Sequence, residues 1–374
     1  MLLKSFHHYG VACGLVPAPL AKREFLRGRL LRWYLIYTGC LHGVLLLLVP
    51  FTFSHYMYEE SYISRNFVLE SFFNVTNVTR ISAMISGGVM SWIQRKALLK
   101  LGKEILSHCS KCQQLENASG NTQLTKRIQG LLGQQLFVVN FTVLVSWLLL
   151  IRIETDQCFR NITLIVVQVL QYAYVVLLVL HWQSERVRLA LKDLCQRVHH
   201  DELSSGCRSS LADLRNYFQL YAENRSLLRR VFQTFDVTIV FLVIKMLVTN
   251  VNMIYHTVLY ANGSIKVSGY TKLLGHLVVI THFWSAVLIM NVVDDITRRS
   301  GPKMGYILRE FSDLEVVKRE FHLQLEIFSN HLRCHPETYK VCGLFVFNKQ
   351  TSLVYFFYVV VQVLVLVQFD LKNN

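Results

Sequence analysis

Charge is scarce in this chain. Only 17% of its 374 residues are Asp, Glu, Lys or Arg, against roughly a quarter in soluble domains. With several long apolar runs, that scarcity excludes a soluble globular protein. Acid is scarcer than base, 24 residues against 39, for a formal net charge of +15. Such a balance ordinarily raises nucleic acid as a partner, so the placement of the charges decides its meaning. A disulfide framework is missing too: Cys13, Cys40, Cys109, Cys112, Cys158, Cys195, Cys207, Cys334 and Cys342 are scattered without framework spacing. Cys109-x-x-Cys112 is half of a zinc pattern with no second pair nearby. His199-His200-Asp201-Glu202 sits in a Ser/Gly-rich turn, and both it and His7-His8 read as polar loop. No metal and no cofactor is expected. No span carries a nucleophile–base pair, so no enzyme is expected, and nothing resembles a transporter's inverted repeat. No cleavable signal peptide is expected either. The first apolar run is too long for an h-region, lacks a small-residue cleavage site and reads as an uncleaved signal anchor.

What is present is a set of seven apolar runs, each long enough to cross a bilayer as a helix. They cover Trp33–Phe53, Asn66–Trp92, Gln134–Ile151, Asn161–Trp182, Phe235–Val258, Leu273–Val293 and Thr351–Phe369. The second is the most diluted, by Glu70, Asn74, Asn77 and Arg80. Thirty-one of the 39 lysines and arginines fall in the N-terminal segment and in alternate connections, six fall on the opposite side, and Arg80 and Lys245 lie within spans. By the positive-inside rule the N-terminus is cytoplasmic and the C-terminus external. The basic excess is thus a topology signal, and no nucleic acid is expected. The basic connections are also the long ones. Helical periodicity in Glu185–Val198, Leu211–Val231 and Leu314–Leu332 predicts that the membrane helices continue into the cytosol and pack there. The expected fold is all-α: a polytopic protein with seven transmembrane helices extended into a cytoplasmic anchor. Its expected divisions are a cytoplasmic segment 1–32, a six-helix bundle 33–293, a helical connection and anchor 294–350, a last helix 351–369 and an external tail 370–374.

The last run is the unusual one. Thr351–Phe369 carries no formal charge, yet Gln362 and Gln368 interrupt it, and a side-chain amide in hydrocarbon is costly without a partner or water. On a helix Gln368 shares a stripe with Val361, Leu364 and Val365, whereas Gln362 aligns with Phe369. One stripe can face a pore and the other a neighbouring helix. In a pore, Gln368 forms a ring of amides beside an apolar constriction that gates by dewetting; in an interface, it is an interhelical hydrogen-bonder. Asp370 follows at the outer end, either as a carboxylate at a channel mouth or as a solvated helix-end acid.

The C-terminal block Cys342-Gly-Leu-Phe-Val-Phe-Asn348, followed by a helix ending in five apolar residues (Val363 to Val367) and Gln368-Phe369, resembles the insect gustatory receptors. Their last helix opens this motif with Thr-Tyr, where Val361-Gln362 stands here. The general style resembles the fruit-fly, bitter-type branch rather than the sugar receptors. The resemblance implies a ligand-gated, non-selective cation channel in the plasma membrane of gustatory neurons, in their dendrites. It also implies four subunits, identical or mixed, with last helices lining a shared pore (Val361, Gln362, Leu364, Val365, Gln368, Phe369 and Asp370). The partners are then a small-molecule tastant, other receptor subunits and the lipid bilayer. An odorant receptor of the same superfamily and a G-protein-coupled-type receptor are the alternatives. The latter requires an external N-terminus and an outer disulfide, and Cys158 is the single cysteine in an expected outer loop.

Intramembrane polar groups in the outer halves of the spans are the candidates for the tastant pocket. They are Glu70, Gln168, Gln171 and Tyr172, then Asn250, Asn252, Tyr255 and His256, then His276, Thr281 and His282. Rings with a few amides and imidazoles suit bulky, partly polar molecules; each residue taken singly also fits a structural hydrogen bond. Asn262-Gly-Ser is the sequon at a plausible external position. Arg80 and Lys245 both lie at a depth of about 20 Å, two like charges at one level.

Overall fold

The computed structural model describes residues 29–48, 67–119, 122–152, 157–200, 207–261, 268–312, 319–334, 339–346 and 348–373. Among these the chain is helical almost throughout. In order, the helices are α1 (Arg29–Leu48), α2 (Phe67–Ile93), α3 (Arg95–Ser119), α4 (Thr122–Arg152), α5 (Gln157–His200), α6 (Cys207–Ala261) and α7 (Gly269–Asp294). A π-helical turn, Asp295–Arg299, leads into α8 (Ser300–Ser312) and α9 (Arg319–Cys334). A two-stranded hairpin, β1 (Lys340–Val341) and β2 (Phe345–Val346), precedes α10 (Lys349–Asn373).

All seven apolar runs lie on helices, the first two as far as the described residues reach. Within the described residues, four helical stretches meet both the length and the hydropathy needed to cross a membrane: Lys126–Ser146, Ser210–Leu259, Lys272–Phe311 and Lys349–Phe369. Apolar side chains such as Phe67, Phe137, Leu144, Ile280 and Trp284 are exposed along the outside, as expected where the solvent is lipid.

Several helices far exceed a bilayer. At 1.5 Å per residue α5 and α6 run for about 65 and 80 Å, against about 30 Å of hydrocarbon. The join of α2 to α3 is nearly continuous, because the Gln94 N–H donates to Met90 O and the Leu98 N–H donates to Gln94 O. In the basic ends of these helices Cys112, Val187, Leu191, Leu194, Leu214, Tyr221, Phe311 and Phe328 form one core. Amphipathic α9 closes it with Phe321, Leu325 and Phe328, one face at helical spacing. Cys112 is fully buried in this core, 3.5 Å from the ring of His108. Burial pushes its thiol up to about 12, which makes it a packing group rather than a nucleophile. The other half of the Cys-x-x-Cys pair, Cys109, accepts a hydrogen bond from Gln183 of α5. Among the described residues no three metal-ligating side chains converge. His199 is exposed; Asp201 and Glu202 lie outside the described residues.

A second core runs from Leu101, Ile128 and Leu132 through Tyr174–Leu180, Leu227–Phe232 and Leu288–Ile296 to Val341. It joins the two halves of the bundle. The α2–α6 pair meets at Gly87 and Thr238: a Cβ built on Gly87 would sit 3.6 Å from the Thr238 methyl, at ordinary van der Waals contact. Counting outward from that contact in equal steps along these antiparallel helices brings Arg80 level with Lys245, and Glu70 level with Tyr255. Lys245 is buried; the side chain of Arg80 lies outside the described residues.

Candidate pore helix and ligand site

The last helix is set in place by the segment before it. Asn348 caps α10, its Oδ1 accepting from the Thr351 N–H at 2.9 Å and from the Thr351 hydroxyl at 3.1 Å. An Asn at the N-cap bonding the third helical N–H is a strong start signal, and the Thr351 hydroxyl also lies against Val346 O of the hairpin. The hairpin turns through Cys342 and Gly343, both at positive φ, and Cys342 is the non-glycine residue that bears this strained conformation.

Asp236 of α6 holds the hairpin. Its Oδ1 accepts the Tyr339 hydroxyl and the Cys342 N–H, each at 2.6 Å, and Phe232 one turn away stacks on Tyr339 with centroids 4.1 Å apart. Burial first, and the Asp236 carboxylate second, raise the Tyr339 phenol above its ordinary range, so it remains a donor at neutral pH. The sequence gives no account of this acid; the structure makes it the tie between α6 and the entry to α10.

Along α10 two faces differ. Val359 and Val363 are buried against Val251 of α6, with Tyr355, Leu366 and Val367 packed around them. Val361, Leu364, Val365, Gln368 and Phe369 are exposed. Gln362 is half-buried, and the side chain of Asp370 lies outside the described residues. The stripe bearing Gln368 is therefore the one that the chain leaves uncovered. Only 12% of the membrane-length window of α10 is buried within the chain, against 39–44% in the other three spanning stretches.

Buried between α6 and α10, Asn250 donates to the Tyr355 hydroxyl at 2.6 Å. Interhelical bonds of this kind are worth on the order of 1 kcal/mol in membranes. A double-mutant cycle of Asn250→Leu and Tyr355→Phe, read by thermal unfolding in nanodiscs, is expected to return a coupling of about 0.5–1.5 kcal/mol. Additive effects would remove the bond from the account.

Among the expected ligand residues, Tyr255 and Asn252 are buried on α6, and His256 and Glu70 are half-buried. The α6 positions 245, 249, 252 and 256 fall on one helical face. On it Thr249 Oγ1 and Asn252 Oδ1 have no hydrogen-bond partner, and neither has Asn77 Nδ2 on α2. Buried polar atoms in this state are costly unless water or a ligand reaches them. Thr281 instead bonds Leu277 O and Val278 O of its own helix, and His276 is exposed. The side chains of Gln168, Gln171, Tyr172 and His282, and all of Asn262, lie outside the described residues.

Long helices leaving a lipid-facing bundle for a common packed end, with a loosely held last helix, define an all-α polytopic membrane protein. The family model described as 7tm Chemosensory receptor matches residues 3–373, and the chain belongs to that family. It is 57% identical to putative gustatory receptor 58a of Drosophila melanogaster, over all of this chain and 99% of the relative. It is 26% identical to putative gustatory receptor 58b of the same organism, over 92% of this chain and 85% of the relative. These relatives identify it as a member of the insect gustatory receptor family, a receptor rather than an enzyme. Among solved structures it is similar to the insect olfactory receptor OR5 from Machilis hrabei, with a TM-score of 0.70 at 11% identity over 98% of this chain and 97% of that one. The same receptor in complex with eugenol gives a TM-score of 0.68. At that identity the likeness is one of fold.

Proposed function

We propose that this receptor is a subunit of a ligand-gated, non-selective cation channel that answers small-molecule tastants of bitter or contact-chemical type. Four subunits, of one kind or mixed, gather their α10 helices about a common axis in the plasma membrane of gustatory neurons and their dendrites. The observation that carries this reading is the uncovered stripe of α10. An amide among aliphatic side chains, facing away from its own chain, needs either water in a pore or the same surface of another copy. Domain roles follow: residues 33–293 form the bundle with the ligand pocket, residues 294–350 the cytoplasmic connection where subunits meet, and residues 370–374 an external tail. The polar face of α6 with Asn252, Tyr255 and His256, joined by Glu70, Gln168, Tyr172 and His282, takes the tastant from the outside. Asn262 is the external glycosylation site.

Purified protein in planar bilayers is expected to pass cations through a fourfold particle with Gln368 near its axis. Neutralising Asp370 to Asn is expected to lower single-channel cation conductance, roughly twofold if a four-carboxylate ring concentrates cations at the mouth. Unchanged conductance and reversal potential would take Asp370 out of the mechanism. An N-terminal tag reached by antibody on intact cells, or a last helix wrapped in lipid far from the symmetry centre, would overturn the whole reading. The odorant-receptor alternative shares this architecture; the 57% identity to a putative gustatory receptor favours the taste branch.

A further inference from the structure

Beginning at Met246, beside Lys245 at the inner end of the polar face of α6, and continuing toward the basic end of the bundle, four helices line a cavity of about 60 Å³. It lies between Tyr174 of α5, Leu242 and Met246 of α6, Ala286 and Met290 of α7, and Tyr355 of α10. A single water needs roughly 10–15 Å³ measured in this way, so the space suits an organic molecule of about four to six non-hydrogen atoms. Two observations limit its chemistry. The walls are almost wholly aliphatic and aromatic, so water entering alone would lack the two to four polar partners that hold it. Yet Tyr174, 1% exposed, keeps a hydroxyl with no hydrogen-bond partner. A buried hydroxyl in that state favours any occupant that brings one complementary group.

We infer that this cavity is a binding site for short-chain aliphatic alcohols, the alkyl part lying against Met246, Ala286 and Met290 and the hydroxyl meeting Tyr174. The site lies inward of the tastant pocket proposed above and adjoins it: its α6 wall runs from Phe232 to Met246, short of Asn252 and Tyr255, and on α5 Tyr174 stands two residues beyond Tyr172. Tyr355 gives it contact with the last helix. The phenol oxygen there already accepts from Asn250, so an occupant touches one member of the bond that ties α6 to α10.

The test is photolabelling of the full-length receptor in lipid nanodiscs with a diazirine-bearing butanol, the adducts being mapped by mass spectrometry. Adducts are expected on Tyr174, Met246, Met290 or Tyr355, and excess 1-butanol should suppress them. Filling the space with Ala286→Leu should reduce this labelling at least fivefold, in protein whose unfolding midpoint matches the parent. Should that variant fail to fold, Met290→Phe fills the same space from the same helix. Tyr174→Phe, which removes only the hydroxyl, should leave the cavity open and weaken 1-butanol competition about fivefold. Adducts confined to lipid-facing side chains such as Trp284 and Phe357 would overturn the site. So would labelling of the cavity residues that neither butanol nor a filling substitution reduces. Competition unchanged in Tyr174→Phe would overturn the role of the hydroxyl and with it the alcohol class. None of these readouts depends on ion conduction, so the site and the channel reading stand or fall apart.

Discussion

Asp236→Ala is expected to release the hairpin from α6 and to lower the stability of the folded receptor by about 3 kcal/mol. The figure follows from two hydrogen bonds to an ionised acceptor, at roughly 1.5–3 kcal/mol each, less what water recovers at a half-buried site. Both bonds are short, and both donors belong to the segment that positions α10. The substitution leaves the Tyr339 hydroxyl and the Cys342 N–H without their acceptor, which costs more than the absence of both partners would. Cys342 lies at positive φ, so its N–H is what holds a strained turn in register. Asp236→Asn keeps one acceptor oxygen and should lose about half as much. Tyr339→Phe isolates the phenol and leaves the Cys342 bond intact. Thermal unfolding in nanodiscs gives the ranking Asp236→Ala, Asp236→Asn, Tyr339→Phe, parent, from least to most stable. Equal midpoints for all four would mean that the hairpin is held elsewhere. Raising the pH within the neutral range should change nothing here. The Tyr339 phenol has a folded-state pKa above its ordinary value, so its contribution is complete below that value and fades only as pH climbs through the higher, folded one.

That clamp also marks where reading from sequence stops. The seven runs, the extension of α5 and α6 beyond any bilayer, and the family all follow from composition, periodicity and one terminal motif, because each is a one-dimensional property of the chain. The start of α10 carries a local signal as well, which the hydropathy of the run Thr351–Phe369 does not use: Asn348 and Thr351 stand at N-cap and third position. Asp236 could not be placed in this way. Its partners lie about a hundred residues away, and a lone acid near the end of a span signals neither hairpin nor tie. Tyr355 was hidden differently, inside the aromatic stretch Tyr355–Tyr358, where nothing separates the ring that meets Asn250 from those exposed to lipid. Tyr174 lies two residues inward of the polar group Gln168–Tyr172 and reads as one more core aromatic until the cavity beside it is seen. The pocket candidates fall between these cases. Hydropathy put Asn252 and His256 together in the outer half of one span, but only the packing shows that Thr281 turns its hydroxyl to its own backbone while Asn252 has an atom left over.

Leu364→Asn is expected to raise current in the absence of any tastant by tenfold or more, with surface expression unchanged. In the proposed channel the exposed stripe Val361–Leu364–Val365–Gln368 faces the axis, and below the Gln368 amides it is wholly aliphatic. Three such rings, at Val361, Leu364 and Val365, close a narrow pore without touching, because water confined between apolar walls vaporises and ions lose their hydration. An amide at Leu364 extends the polar ring inward by one turn and rewets the segment. The control lies one residue away. Val363 is buried against Val251, so Val363→Asn places the same amide in the contact with α6, where it should lower stability and surface expression instead of opening the pore. The two stripes are thus distinguished by the kind of defect rather than by its size. Ligand-independent current from the buried position, with none from Leu364, would reverse the assignment and put the lumen on the side that now packs against α6. Silence from both in protein that reaches the surface would remove α10 from the conduction path.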